Sequence, residues 1–406
     1  MWLALGLLLL LNDAIASNSS FPTFADVWQS IHYLPRKSNV RRQRAISPTT
    51  PFPCASSIPW GRSSKRPTSV HRLRPGDIDV VAAIGDSLVA GSGALEEFAL
   101  GAIVEYRGVS WCAGGDSTWR EFLTLPNILK EYNPNLRGYS TGTGEWLAKN
   151  SRLNVAFPVA SDEDAYKQAK ILVARMRASP DIDMERDWKM VTVFIGANDL
   201  CSASCLSPVA WSPAAHARKL ARALDYFYEH LPRTIINLIP VLDVSVSVRV
   251  VRPLMCRLMH SLFCTCFHRG GGELADLVRM ARQYQKAEVA LVESGRYDRR
   301  EDFTVVVQPF MRLFNAPAPP RQPLPLVIHR SYITHDCFHF SQKGHALAAN
   351  LLWNNLLEPV YNKSDNVPPV LLKSFRCPTK EAPFFFTAKN SRSYQLSGRQ
   401  EGAEDL

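Results

Sequence analysis

Beyond its first few residues, the chain has no run of the about 18 uninterrupted apolar residues that a membrane-spanning helix needs. The nearest approach, residues 235–268, is broken by Asp243, Arg249, Arg252 and Arg257. The C-terminus, SYQLSGRQEGAEDL, is polar, so the expectation is a soluble mature protein with no transmembrane tether. No internal repeat is present, which excludes solenoids and propellers. Nine cysteines are scattered at positions 54, 112, 201, 205, 256, 264, 266, 337 and 377. They do not form paired Cys-x-x-Cys knuckles, so disulfides in an oxidising compartment are favoured over a metal site. Nine is odd, and at least one thiol is left free or pairs between molecules. Spacing alone does not give the connectivity.

Acidic residues are missing from one long segment. Between Val27 and Gly76 there is no Asp or Glu, whereas Arg36, Lys37, Arg41, Arg42, Arg44, Arg62, Lys65, Arg66, Arg72 and Arg74 are all basic. These ten charges equal the net charge of +10, so the remainder of the chain is near neutral. The same segment is rich in Pro and Ser, a composition that favours an extended, weakly ordered chain. It reads as a solvated linker, with two alternatives: a basic arm for anionic membrane surfaces, or a propeptide cut near Arg41-Arg42-Gln43-Arg44. No nucleic-acid-binding motif accompanies the charge, and nucleic acid is not an expected partner.

At the N-terminus, Leu7 to Leu11 followed by Ala14 and Ala16 reads as a secretory signal peptide, residues 1–16, although its basic n-region is missing. Secretion is therefore expected. Asn18 and Asn362 lie in glycosylation sequons. The expected organisation is a signal peptide (1–16), a basic Pro/Ser-rich segment (17–76), one catalytic-sized domain (77–390) and a polar tail (391–406).

From residue 77 the pattern changes to short β-branched runs alternating with helical stretches. Candidate strands are residues 78–84, 152–157, 190–195, 234–241 and 303–310, several of them almost wholly apolar, as strands buried on both faces are. Candidate helices are 164–179, 214–231 and 274–295. The alternation predicts an α/β fold: a central, mostly parallel five-stranded sheet between two helical layers. Ligands of such sheets bind beyond the carboxyl ends of the strands.

Two of those ends, and one segment near the C-terminus, carry chemistry. Gly85-Asp86-Ser87 follows the first strand, putting a serine at a helix start where free N–H groups and the dipole favour developing negative charge. Gly196-Ala197-Asn198-Asp199 follows a middle strand, and an asparagine there can aim its amide N–H at an oxyanion. Asp336 and His339, three residues apart, supply a base and the carboxylate that holds its tautomer. His335 and His345 read as surface or capping residues. A second Gly-Asp-Ser, at Ser117, has no strand feeding it and reads as a turn.

In this order, GDS, GxND and DxxH resemble the SGNH, or GDSL-type, hydrolase superfamily. EYRGVSW, LPNILKEYNPNLRGYSTGTG, LNVAFP, GANDLC and DCFHFSQKGHA further resemble its animal phospholipase B-like branch, over about Pro53 to Asn390. The resemblance implies a flavodoxin-like α/β/α sandwich with no cofactor and no metal. It implies Ser87 as nucleophile, His339 as general base then acid, and Asp336 as its support. The implied oxyanion hole combines the Ser87 N–H, the Asn198 side chain and the N–H of Val159. There the sequence departs from the branch, which carries glycine where Val159 stands. A valine that misaims this donor would cost on the order of 3 kcal/mol in the transition state.

The implied substrates are phospholipids and lysophospholipids, whose fatty-acyl esters would be cleaved through an acyl-enzyme. Residues 244–272 contain no acid, four arginines and two histidines, with Met255, Leu258, Met259, Leu262 and Phe263 at roughly helical spacing. They suit peripheral contact with a membrane or micelle surface, or else form an ordinary buried helix pinned by disulfides from Cys264 and Cys266. Two other functions remain open: an esterase for a different ester, and a catalytically weak lipid-binding or interaction protein that keeps the fold.

Overall fold

A computed structural model describes residues 40–250, 253–267, 273–317, 328–366 and 370–394. The signal-peptide reading, the Asn18 sequon, residues 17–39 and most of the polar tail lie outside the described residues.

Four strands form one wholly parallel sheet in the order β1 (Val80–Gly85), β2 (Lys189–Phe194), β3 (Thr234–Leu238) and β4 (Phe303–Val307). Alternate residues of these strands feed two separate cores. Val81, Ala83, Met190 and Ile235 face one, while Val80, Ala82, Val191 and Ile236 face the other. Among the described residues, seven α-helices accompany the sheet: α1 (Ser87–Ala90), α2 (Leu125–Lys130), α3 (Ala165–Ala178), α4 (Pro213–His230), α5 (Leu254–Phe263), α6 (Glu273–Glu293) and α7 (Gln342–Leu356). Helices α3 and α4 close one face through Ala169, Leu172, Leu220 and Phe227. The other face is closed by α7, through Ala346, Leu352 and Trp353, and by α6, through Leu277, Ala281 and Tyr284. The result is the expected α/β/α sandwich.

The fifth expected strand is not a strand. Residues 152–157 run beside β1 and make a single parallel bridge, Asn154 to Ala83. Ala83 N–H donates to Leu153 O at 3.1 Å, and Val155 N–H donates to Ala83 O at 3.0 Å. The regular ladder stops because the outer edge is taken by a side chain. The buried Arg107 guanidinium donates to Asn154 O at 3.1 Å and Ala156 O at 2.7 Å, and pairs with Glu105. Left-handed Arg152 (φ 50°) and Val159 (φ 63°) clip the run at its two ends.

The basic segment is not a solvated linker over its described part. Packing begins at Arg41 rather than at residue 77. Phe52 is buried edge-on against Trp119, Tyr132 and Phe375, and Cys54 is bonded to Cys377. Arg66 reaches Asp79 at 2.6 Å, and Arg62 donates to Asn133. Composition suggested disorder, but a few aromatic anchors, one disulfide and charges with tertiary partners are enough to order the chain.

Three further disulfides join Cys201 to Cys264, Cys205 to Cys266 and Cys256 to Cys337, as an oxidising compartment permits. Cys112 is a free, buried thiol whose pKa burial pushes up to about 12, which leaves it unreactive. Among the described residues, no helix is long and apolar enough to cross a membrane. Asn362 is exposed, as a glycan acceptor requires.

Candidate active site

The site is built on the carboxyl edge of the sheet. Strands β1 and β2 end in register, Gly85 opposite Phe194. A Cβ on Gly85 would lie 2.4 Å from Phe194 O and 2.6 Å from Val89 Cγ2, so only glycine fits. Asp86 then caps α1, its Oδ1 accepting the Leu88 N–H at 2.9 Å, and Ser87 is the first helical residue. Helix α1 is four residues long, so the macrodipole expected from the sequence is small. What remains at Ser87 is its own N–H, a first-turn donor with no intrahelical acceptor.

Asp336 and His339 occupy a tight turn before α7. Cys337 holds a left-handed φ of 60° between them and is bonded to Cys256. Asp336 Oδ1 accepts from Phe338 N–H at 2.9 Å, from His339 N–H at 3.1 Å and from the Thr334 hydroxyl. That leaves Oδ2 for His339 Nδ1 at 2.5 Å, and His339 Nε2 lies 2.8 Å from Ser87 Oγ. A carboxylate only accepts, so Nδ1 carries the proton and Nε2 accepts from the serine. Burial alone would raise the Asp336 pKa, but the His339 charge and the four donors hold it well below the usual carboxylate range. Burial alone would lower the His339 pKa, but Asp336 outweighs it and the net shift is upward. Asp86 is pushed up to about 7 by burial, against its bond from Leu88 N–H and the nearby His339.

The two remaining sequence candidates lie on neighbouring loops. Asn198 Nδ2 donates to Ala160 O at 3.0 Å, which fixes the amide and leaves its second hydrogen for a ligand. Gly196 precedes it at φ 121°, with His216 Cε1 3.0 Å from where a Cβ would sit. Val159 adopts the left-handed conformation that the sequence reading held difficult for it, at φ 63°, and its side chain is 78% exposed. The left-handed turn is therefore adopted with valine in it, at a cost in backbone strain. Among the described residues, no hydrogen bond links Asn198 or Val159 directly to Ser87. The loop of Val159 is joined to β1 by Phe157 N–H to Gly85 O at 3.4 Å. Val159→Gly is expected to raise stability by about 1 kcal/mol, the strain relieved less the added freedom of the unfolded chain. Calorimetry should show a higher midpoint, with kcat unchanged within about threefold. A hundredfold gain in kcat would mean that valine does misaim its N–H.

Ser117 stands apart from this constellation. It occupies a left-handed turn (φ 51°) and its hydroxyl donates to Glu121 at 2.9 Å. His345 is neither surface nor cap: it is buried, accepts Trp111 N–H at 3.2 Å, and is held down to about pKa 3 by burial and by His339. His335 is half-buried beside Arg41, 3.1 Å from the guanidinium.

Several supporting residues had no signal in the sequence. Arg41 donates to Ile333 O at 2.9 Å, and Gln43 N–H donates to Gln342 Oε1 at 2.5 Å, so the basic arm braces the segment carrying Asp336 and His339. Behind Asn198 lies a buried charge cluster. His216 bonds Asp162 Oδ2 at 3.0 Å and Glu288 Oε1 at 3.1 Å, Lys219 reaches Asp162 Oδ1 at 2.8 Å, and Asp162 N–H donates to Asp199 at 3.2 Å. Burial lowers the His216 pKa, but its two carboxylate partners carry it up to about 9. Burial and the Asp162 charge push Asp199 up to about 8. These residues come from four distant parts of the chain, and no local pattern announces them.

Residues 81–352 match the family model described as GDSL-like Lipase/Acylhydrolase. Over 90% of its length the chain is 39% identical to human "Phospholipase B1, membrane-associated". The corresponding mouse protein is 42% identical over 81% of the chain, and the rat protein 41% identical over 84%. The chain spans about a quarter of the length of these relatives, 25% of the human, 22% of the mouse and 24% of the rat protein.

Proposed function

Because the chain belongs to the GDSL-like lipase/acylhydrolase family, in its phospholipase B-like branch, we propose that it is a secreted serine esterase releasing fatty acids from glycerophospholipids and lysophospholipids. The observation that carries this reading is the unbroken relay from Ser87 Oγ through His339 to Asp336, at 2.8 and 2.5 Å, on the carboxyl edge of the sheet.

In this mechanism Ser87 Oγ attacks the ester carbonyl as His339 Nε2 takes its proton. The imidazolium so formed is stabilised by Asp336 and then protonates the departing alcohol. The acyl group stays on Ser87 until a water, deprotonated by the same imidazole, releases the fatty acid. The negative oxygen of each tetrahedral intermediate is received by the N–H groups of Ser87 and Val159 and by the free amide hydrogen of Asn198. Four disulfides and the phospholipid substrate together favour an extracellular site of action.

The test is labelling with a fluorophosphonate probe, alongside fatty-acid release from lysophosphatidylcholine and from a short-chain p-nitrophenyl ester. Wild type is expected to label and to release fatty acid, and Ser87→Ala to do neither. An unlabelled wild type would remove the esterase reading. Turnover of the p-nitrophenyl ester alone would remove the phospholipid substrate.

A further inference from the structure

Helix α5 is amphipathic in the wrong sense for a helix that packs on a core. Its inward residues are Cys256 and His260, at 0% and 2% exposure, whereas Leu254, Met255, Leu258 and Phe263 are 75%, 45%, 51% and 65% exposed. At 100° per residue, Leu254, Met255 and Leu258 fall on one arc pointing away from the protein. Large apolar side chains gathered on one outward face are rare on a soluble surface and mark an interaction site. Nearby, Leu206 and Val209 are 54% and 86% exposed just after Cys205, which is bonded to Cys266 beyond the end of α5.

The helix is fastened to both loops of the site. Cys256 is bonded to Cys337, inside the turn that carries Asp336 and His339, and His260 Nε2 lies 3.0 Å from Asp336 O. At its other end, Cys264 is bonded to Cys201 and Ser202 Oγ donates to Phe263 O at 2.7 Å, three and four residues beyond Asn198. The helix is thus fixed beside the edge of the sheet where the ester would enter. Its flanks suit a phosphate-bearing surface: Arg257 is exposed, and residues 244–272 contain no acid.

We propose that α5 is a membrane-docking helix, whose Leu254, Met255 and Leu258 enter the headgroup–acyl boundary of a phospholipid surface and bring Ser87 to it. This rests on the reading of the site as a phospholipid esterase. A phospholipid is dilute as a monomer and abundant in aggregates, and a helix lying in the interface plane holds the site where the substrate is. The disulfides make α5 a fixed prow rather than a hinged cover, so docking needs no opening step.

Binding is read by sedimentation with phosphatidylcholine vesicles, with and without phosphatidylserine, using Ser87→Ala protein so that the surface is not digested. Adding Leu254→Asp and Leu258→Asp is expected to lower vesicle partition by roughly tenfold or more. In the active protein the same two substitutions are expected to lower hydrolysis of vesicle phospholipid in parallel. Hydrolysis of a soluble short-chain p-nitrophenyl ester should stay within about twofold, since both side chains are exposed. Phosphatidylserine should strengthen wild-type binding, and Arg257→Glu should remove that increment.

Unchanged vesicle partition in the double variant would overturn the proposal. So would a wild-type dimer in light scattering that the double variant dissociates, because the face would then belong to a second copy. A wild type inert on every ester would sink the esterase reading. Vesicle partition of the Ser87→Ala protein decides the docking face whatever the esterase result.

Discussion

Replacing Asp336 with asparagine is expected to lower kcat for ester hydrolysis by on the order of ten-thousandfold while leaving the fold intact. The reason lies in which atoms surround the carboxylate. Three donors, the Thr334 hydroxyl and the N–H groups of Phe338 and His339, converge on Oδ1. An asparagine must give its single oxygen to that cluster, which turns its NH2 group toward His339 Nδ1. That nitrogen then becomes the acceptor, and the proton moves to Nε2. The ring would donate toward Ser87 instead of accepting from it, and the general base is lost although every atom stays in place. Steady-state kinetics with circular dichroism checks this, and a loss of less than tenfold would show that Asp336 does not set the tautomer. A pH profile adds a second readout. Asp336 raises the His339 pKa, so wild-type kcat/KM should rise with pH along a limb above the about 6.5 of an ordinary imidazole. In the asparagine variant, residual activity should follow a limb shifted to lower pH.

His216→Ala should cost about 3–5 kcal/mol of stability, because it leaves Asp162 and Glu288 buried without their shared partner. Glu288 keeps the Val241 N–H, at 2.9 Å, and Asp162 keeps Lys219. The same cluster dictates how stability depends on pH. A base whose folded pKa exceeds its unfolded value stabilises fully below the unfolded value and loses that contribution as pH rises through the folded one. For His216 the window runs from about 6.5 to about 9. Asp199, raised to about 8, acts in the same direction, since its proton is bound more tightly in the folded state. Urea midpoints for wild type are therefore expected to fall as pH rises from about 6.5 toward 9, and His216→Ala should show a shallower alkaline decline, the part left being that of Asp199. Because Asp162 and Asp199 join the loop of Val159 to that of Asn198, the variant should also lose kcat. A variant as stable as wild type at pH 6 would show that the cluster is not held by His216.

The fate of residues 152–157 and of the basic arm shows what local sequence leaves undecided. The run 152–157 has a strand's composition, and nothing local reveals that Arg107, about fifty residues earlier, occupies its outer edge. The arm has a linker's composition, yet Phe52, Cys54 and Arg66 find partners between about ten and over three hundred residues away. Val159 was legible as an exception but not in its consequence. Its identity says that a left-handed turn is strained, and only the coordinates say that the turn is kept and the side chain faces solvent.

The sequence by itself determined the alternation of apolar strands with helices, hence the sandwich, the two strand ends where Ser87 and Asn198 stand, and the Asp-x-x-His pair of Asp336 and His339. These are properties of short windows: a period, a glycine, a spacing of three. Tertiary structure alone decided which cysteines pair, that Oδ2 rather than Oδ1 of Asp336 faces the imidazole, that four buried ionisable groups lie behind Asn198, and that the apolar arc of α5 points outward. Each of these depends on groups far apart in the chain meeting at hydrogen-bond or van der Waals distance. A helical period gives the width of an apolar face, but only packing against Cys337 and Asp336 tells which way that face points.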